Sequence, residues 1–146
     1  MTARDKSSGL PLREPSTWLA LALSGGFVLL GLLFILAPGA GSALFGLPVP
    51  DSEWVLFLYP VAIGLRDLAF GLYLLILSFT APRRTLALIF AATLVIPLGD
   101  MLIVVAARGI SSPEHLLLHG LSALVVAAAS LWLFRQASHD NKGGHS

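Results

Sequence analysis

Four long apolar runs constrain the fold of this chain more than any other feature. They cover residues 18–37, 54–79, 86–107 and 115–134. Each has the roughly 20 residues that a helix needs to cross about 30 Å of hydrocarbon. The runs lack the period-two alternation of a membrane β-barrel. Because backbone groups in lipid must hydrogen-bond internally, we predict an all-α integral membrane protein with four spanning helices.

The composition agrees with a membrane environment. Of 146 residues, 56% are hydrophobic and only 12% are charged, against about 25% charged in soluble domains. Nine basic and eight acidic residues nearly cancel, so charge gives no argument for a nucleic-acid partner. The chain has no cysteine, which excludes disulfides and thiolate metal sites. We therefore expect the lipid bilayer as partner, and neither a metal nor a cofactor.

Short connections at residues 38–53, 80–85 and 108–114 join the four runs. Short connections make successive helices antiparallel neighbours, which predicts an up-down four-helix bundle. We divide the chain into a polar tail at residues 1–17, a four-span domain at 18–134 and a disordered tail at 135–146.

Lysine and arginine residues indicate the orientation. Seven of the nine fall on one side of the predicted bundle: Arg4, Lys6, Arg13, Arg83, Arg84, Arg135 and Lys142. The opposite side has only Arg108, and Arg66 lies within a span. Since basic residues concentrate in cytoplasmic segments, we predict a multi-pass protein of the cell membrane with both termini in the cytoplasm.

Three ionisable residues lie inside the apolar runs. Arg66 and Asp67 fall at the middle of the second run, and Asp100 falls in the third. A charge at the centre of a span costs about 2.5–3.5 kcal/mol. Arg66 and Asp67 are about 100° apart around a helix, so we predict that Arg66 pairs with Asp100 on a neighbouring helix. Asp67 shares a stripe with Gly64 and Gly71, which permits close helix packing.

Helix-breaking residues coincide with these charges. Pro97 lacks an N–H and predicts a break beside Asp100, and Pro60 similarly weakens the second helix near Tyr59. His119 lies about one turn into the fourth run. Such breaks persist in membranes where they are buried or line a cavity, so we predict a pocket open toward the non-cytoplasmic side. Its predicted ligand-contacting residues are Tyr59, Arg66, Asp100 and His119.

Two simpler interpretations remain open. The charged residues are also consistent with an internal ion pair that only fixes the helix register. His119 is also consistent with an ordinary histidine near the membrane interface.

The polar motifs resemble a known family. The pattern has three parts. The first is Gly64-Leu65-Arg66-Asp67 with Gly71 four residues after Asp67, the second is Pro97-Leu98-Gly99-Asp100, and the third is a histidine early in the last span. They resemble small four-span membrane proteins grouped as domain of unknown function 4267, which are loosely similar to DoxX-type proteins. The resemblance implies a four-span fold and marks Arg66, Asp67 and Asp100, but it implies no reaction.

Three functions fit these residues. The first is binding of a hydrophobic small molecule, with Arg66, Asp67 and Asp100 as a polar anchor. The second is a cofactor-independent enzyme that opens an epoxide or isomerises or cyclises a lipophilic substrate. Its catalytic residues are Asp100 as base, Asp67 as acid and Arg66 as orienting cation. The third is a small transporter subunit that acts as a homodimer.

Overall fold

The computed structural model of the chain describes residue 10 and residues 13–46 and 54–143. This part is helical apart from short connections and contains no strand. Its helices are α1 (Pro15–Leu36), α2 (Pro38–Phe45), α3 (Trp54–Thr80), α4 (Arg83–Thr93), α5 (Val95–Arg108) and α6 (Pro113–Gly143). The predicted all-α class is confirmed.

Four stretches of the described chain are long and apolar enough to cross a membrane. They are Pro15–Leu36, Leu58–Thr80, Arg83–Arg108 and Pro113–His139. The third consists of α4 and α5 together. The protein is therefore a multi-pass membrane protein, as predicted. The predicted bounds of the four-span domain, residues 18–134, remain a prediction.

A short helix, α2, which the sequence pattern does not predict, occupies half of the connection at residues 38–53. Proline fits the first turn of a helix because the N–H it lacks has no intrahelical partner there. Pro38 accordingly begins α2 directly after α1 has ended at Leu36. Gly46 terminates α2 with φ of 85°, a conformation that suits glycine. Residues 47–53 lie outside the described part.

The predicted break in the third span is confirmed. It falls at Leu94, between α4 and α5 and three residues before Pro97. The Leu94 N–H bonds to the carbonyl of Ala91 at 3.3 Å, which is a tighter 3₁₀-type turn. The ring of Pro97 displaces the backbone carbonyl about one helical turn earlier, and this displacement accounts for the break at Leu94. The weakening expected at Pro60 produces no break, because α3 is continuous through it.

The C-terminal segment differs from the predicted disordered tail. Helix α6 continues to Gly143, and residues 144–146 lie outside the described part. No glycine or proline occurs between Gly120 and Gly143. Nothing in the local sequence therefore stops the helix where the hydrocarbon region is predicted to end.

Glycines bring α1 and α3 into close contact. A Cβ atom on Gly31 would lie 2.5 Å from the Leu68 backbone nitrogen, and one on Gly64 would lie 2.7 Å from the Gly31 carbonyl oxygen. A Cβ atom on Gly71 would lie 2.7 Å from the Val28 backbone nitrogen. The expected close packing along Gly64 and Gly71 is confirmed. Helices α4 and α5 pack instead on α6.

Candidate functional site

A cavity of about 440 Å³ lies among α1, α2, α3, α5 and α6. This volume is within the usual range for small-molecule sites, about 300–1,000 Å³. Its walls are mainly aliphatic and aromatic, and Asp67, Asp100 and His119 also line it. We call the part formed by α3 and α5 the floor. It contains Asp67, Pro97 and Asp100, which are buried or largely buried.

Exposed residues of α1 and α6 line one part of the cavity. The exposed lining residues on these helices, which we call the mouth, include Ala22, Gly26, Leu121 and Val125. Leu121 is 59% exposed. All four lie within candidate spans. The opening toward the non-cytoplasmic side stays a prediction; Leu44 and Phe45 of α2 also line the cavity, and Leu44 is 45% exposed.

Arg66 pairs with Asp67 and not, as predicted, with Asp100. Its Nε and Nη2 atoms donate to Asp67 Oδ1 at 3.2 and 3.0 Å. The Asp67 side chain is 3% exposed, whereas that of Arg66 is 56% exposed. The long arginine side chain curls back to its sequence neighbour, a contact that helix angles alone do not reveal. Asp67 therefore faces the cavity, and Arg66 holds it from outside the lining.

Asp100 faces His119 instead of Arg66. The distance from His119 Nδ1 to Asp100 Oδ2 is 3.9 Å. The other ring nitrogen, Nε2, lies 3.3 Å from the carbonyl oxygen of Phe45. The imidazole also contacts the Phe45 ring edge-on, with centroids 4.7 Å apart. His119 is thus fixed between α2 and α5, with one nitrogen directed to each.

A second histidine fastens α2 to α6. His115 Nε2 lies 3.1 Å from the carbonyl oxygen of Ala43. A Cβ atom on Gly46 would lie 2.7 Å from the His115 ring, so only glycine fits there. The two histidines, four residues apart on one helix face, bond to carbonyls at the C-terminal end of α2. Sequence reasoning missed this contact because it did not predict α2.

The comparisons identify the family but no function. Residues 24–133 match the family described as Domain of unknown function (DUF4267). The chain belongs to this family. The DUF4267 region includes the cavity floor, His119 and most of each candidate span. The looser similarity to DoxX-type proteins is not confirmed. No curated protein and no solved structure matches the chain at a significant level.

Two of the four predicted ligand-contacting residues line the cavity of this DUF4267 protein. They are Asp100 and His119. Tyr59 is 66% exposed and is absent from the lining, as is Arg66. The phenylalanines that line the cavity, Phe27, Phe34 and Phe45, are not among the ligand-contacting residues predicted from the sequence. In a chain this apolar, no sequence signal separates wall residues from those that face lipid.

Proposed function

We propose that this DUF4267 protein binds a hydrophobic small molecule in the cavity between α1 and α6. The observation that carries the proposal is an apolar cavity with two carboxylates and an imidazole in its lining. Ligand sites combine apolar walls with a few polar groups in this way. Ionisable residues inside membrane spans are costly, and they commonly mark functional sites.

The ligand enters from the bilayer in this proposal. The mouth lies within the spans, and its residues are small or aliphatic. A molecule dissolved in the hydrocarbon region reaches the cavity without crossing the polar interface. The buried Asp67 and Asp100 then meet the polar end of that molecule.

Two adjacent glycines provide a matched test. A Cβ atom on Gly25 or on Gly26 would have no atom within 4 Å, but only Gly26 lines the cavity. Gly26→Leu therefore fills the cavity, whereas Gly25→Leu adds the same side chain outside the lining. Mass spectrometry of lipid-soluble molecules that co-purify with the protein measures the effect.

We expect wild type and Gly25→Leu to retain the same molecule, and Gly26→Leu to lose at least nine-tenths of it. Equal amounts in all three proteins, or none in wild type, would contradict the proposal. Size-exclusion profiles of the three proteins check that each is folded.

We also propose that the four spans are antiparallel, with both termini in the cytoplasm of a cell-membrane protein. Contacts between α1 and α3 run in opposite directions along the chain, which supports this arrangement. A Cβ atom on Gly64 would approach Phe34, whereas one on Gly71 would approach Ser24. The ion pair between Glu14 and Arg83 joins the start of α1 to the start of α4. The excess of basic residues on that side supports a cytoplasmic location.

A cofactor-independent enzyme is the second candidate function. Two carboxylates line one cavity in different settings, since Asp67 bonds to Arg66 and Asp100 faces His119. Such a difference is what separate acid and base roles require. Asp100→Asn should then abolish a lipid-soluble product while the protein stays folded. The third possibility, a homodimeric transporter subunit, remains a prediction.

A further inference from the structure

The hydrogen bond between His119 and Phe45 fixes which ring nitrogen carries the proton. A backbone carbonyl oxygen only accepts hydrogen bonds, so the 3.3 Å contact requires a hydrogen on Nε2. In a neutral imidazole, Nδ1 is then an acceptor. It points toward Asp100 Oδ2, which is also an acceptor when the carboxylate is ionised.

With a neutral imidazole and an ionised carboxylate, two acceptors face each other across a gap. Their separation of 3.9 Å exceeds the distance of a direct hydrogen bond, about 2.7–3.2 Å. Within the described part of the chain, no group donates a hydrogen bond to either atom. If an atom lay about 2.8 Å from each acceptor, the angle acceptor–atom–acceptor would be about 90°. That atom must carry two hydrogens, which a carbonyl or a single hydroxyl group lacks.

The charges around the cavity favour a cation at this point. Arg66 hydrogen-bonds to Asp67 and acts on Asp100 only from a distance, and no lysine or arginine lines the cavity beside Asp100. Three phenylalanines, Phe27, Phe34 and Phe45, contribute to the walls. The faces of aromatic rings attract cations. A water molecule would bridge the two acceptors but would bring no positive charge into the cavity beside Asp100.

We infer that the ligand is a lipophilic amine, bound as an ammonium ion. One N–H donates to Asp100 Oδ2 and another to His119 Nδ1, while the hydrocarbon part fills the apolar cavity. The ammonium must be primary or secondary, because a tertiary ammonium has a single N–H. This inference rests on the proposed function and specifies the class of ligand for the same site.

Three probe molecules that share one hydrocarbon cage but carry different polar groups test the amine inference separately from the proposed function. They are 1-aminoadamantane, 1-adamantanol and adamantane-1-carboxylic acid. Equilibrium dialysis against the purified full chain in detergent micelles, with protein-free micelles subtracted, measures the binding of each. We expect wild type to bind the amine at least tenfold more tightly than the alcohol, and the acid most weakly.

Three variants test the roles given to Asp100 Oδ2 and His119 Nδ1. Asp100→Asn removes the charge in nearly the same shape, so the amine should bind no better than the alcohol while alcohol binding stays within threefold. His119→Phe removes the second acceptor and should weaken amine binding several-fold. Glu114→Gln removes an exposed carboxylate on α6 outside the cavity, and should leave the amine preference unchanged.

Each outcome is decisive. Equal binding of the amine and the alcohol by wild type, or an amine preference that survives in Asp100→Asn, overturns the amine inference but leaves the proposed function standing. Failure of all three probes to bind, or binding that Gly26→Leu leaves intact, overturns both. If Asp100→Asn does not fold, His119→Phe and the comparison of probes in wild type decide the question.

Discussion

At the scale of single residues, side-chain length decides which charges meet inside the bundle. The positions of Arg66, Asp67 and Asp100 could be predicted as functional candidates because ionisable groups are rare in spans. Their pairing could not, because an arginine reaches around its own helix to the next residue. The exposure of Tyr59 likewise follows from helix rotation, which an almost uniformly apolar sequence does not define.

Removal of Arg66 should destabilise the protein chiefly through Asp67. Arg66→Met leaves the buried Asp67 carboxylate without its donor, and because Arg66 itself is 56% exposed, we expect a cost of about 1–3 kcal/mol. Asp67→Asn in the same chain should recover most of that loss. Denaturant unfolding in mixed micelles measures both. If Arg66→Met destabilised the wild-type chain and the Asp67→Asn variant equally, the ion pair would not be the cause.

At the scale of helices, the spans and the break before Pro97 could be predicted, but α2 could not. The spans follow from hydropathy, and the break follows from the missing proline N–H. Helix α2 has only eight residues, Pro38–Phe45, and includes Gly39 and Gly41. Its stability comes from contacts with distant residues, as in the bonds from His115 and His119 to its last carbonyls. Tertiary contacts of this kind leave no local sequence pattern.

A change at Gly46 should release α2 from α6. Gly46→Ala introduces a Cβ atom 2.7 Å from the His115 ring at a φ of 85°, which costs about 1–2 kcal/mol from conformation alone. Hydrogen exchange of the backbone amides of α2 should become at least tenfold faster. Gly39→Ala is the matched control, because its Cβ atom meets nothing within 4 Å. Unchanged exchange in Gly46→Ala would contradict the role given to the two histidines.

At the scale of the whole molecule, the positions of the spans are what the sequence predicts most fully. Hydropathy locates the four candidate spans, whereas the orientation predicted from the basic residues remains a proposal. The cavity is lined by residues of five helices, among them Gly26 of α1 and Leu121 of α6. It results from the packing of whole helices, so neither its lining nor its volume could be predicted from the sequence.

The natural absence of cysteine allows a direct test of orientation. Single cysteines at the exposed positions Thr85, Ser111 and His139 report on three ends of spans. A membrane-impermeant maleimide applied to intact cells should label Ser111→Cys only. Applied to inverted vesicles, it should label Thr85→Cys and His139→Cys. Any site labelled from the opposite side would contradict the proposed topology.

The most direct measurement for the central claim is photolabelling with an alkyl diazirine dissolved in the bilayer around the intact protein. Mass spectrometry then maps the labelled residues. We predict labelling concentrated at the mouth, around Gly26 and Leu121, and at Asp100 on the floor, with the Asp100 label lost in Gly26→Leu and retained in Gly25→Leu. Labelling spread evenly over the exposed helix faces, with Asp100 unlabelled in wild type, would contradict the presence of a cavity that accepts molecules from the membrane.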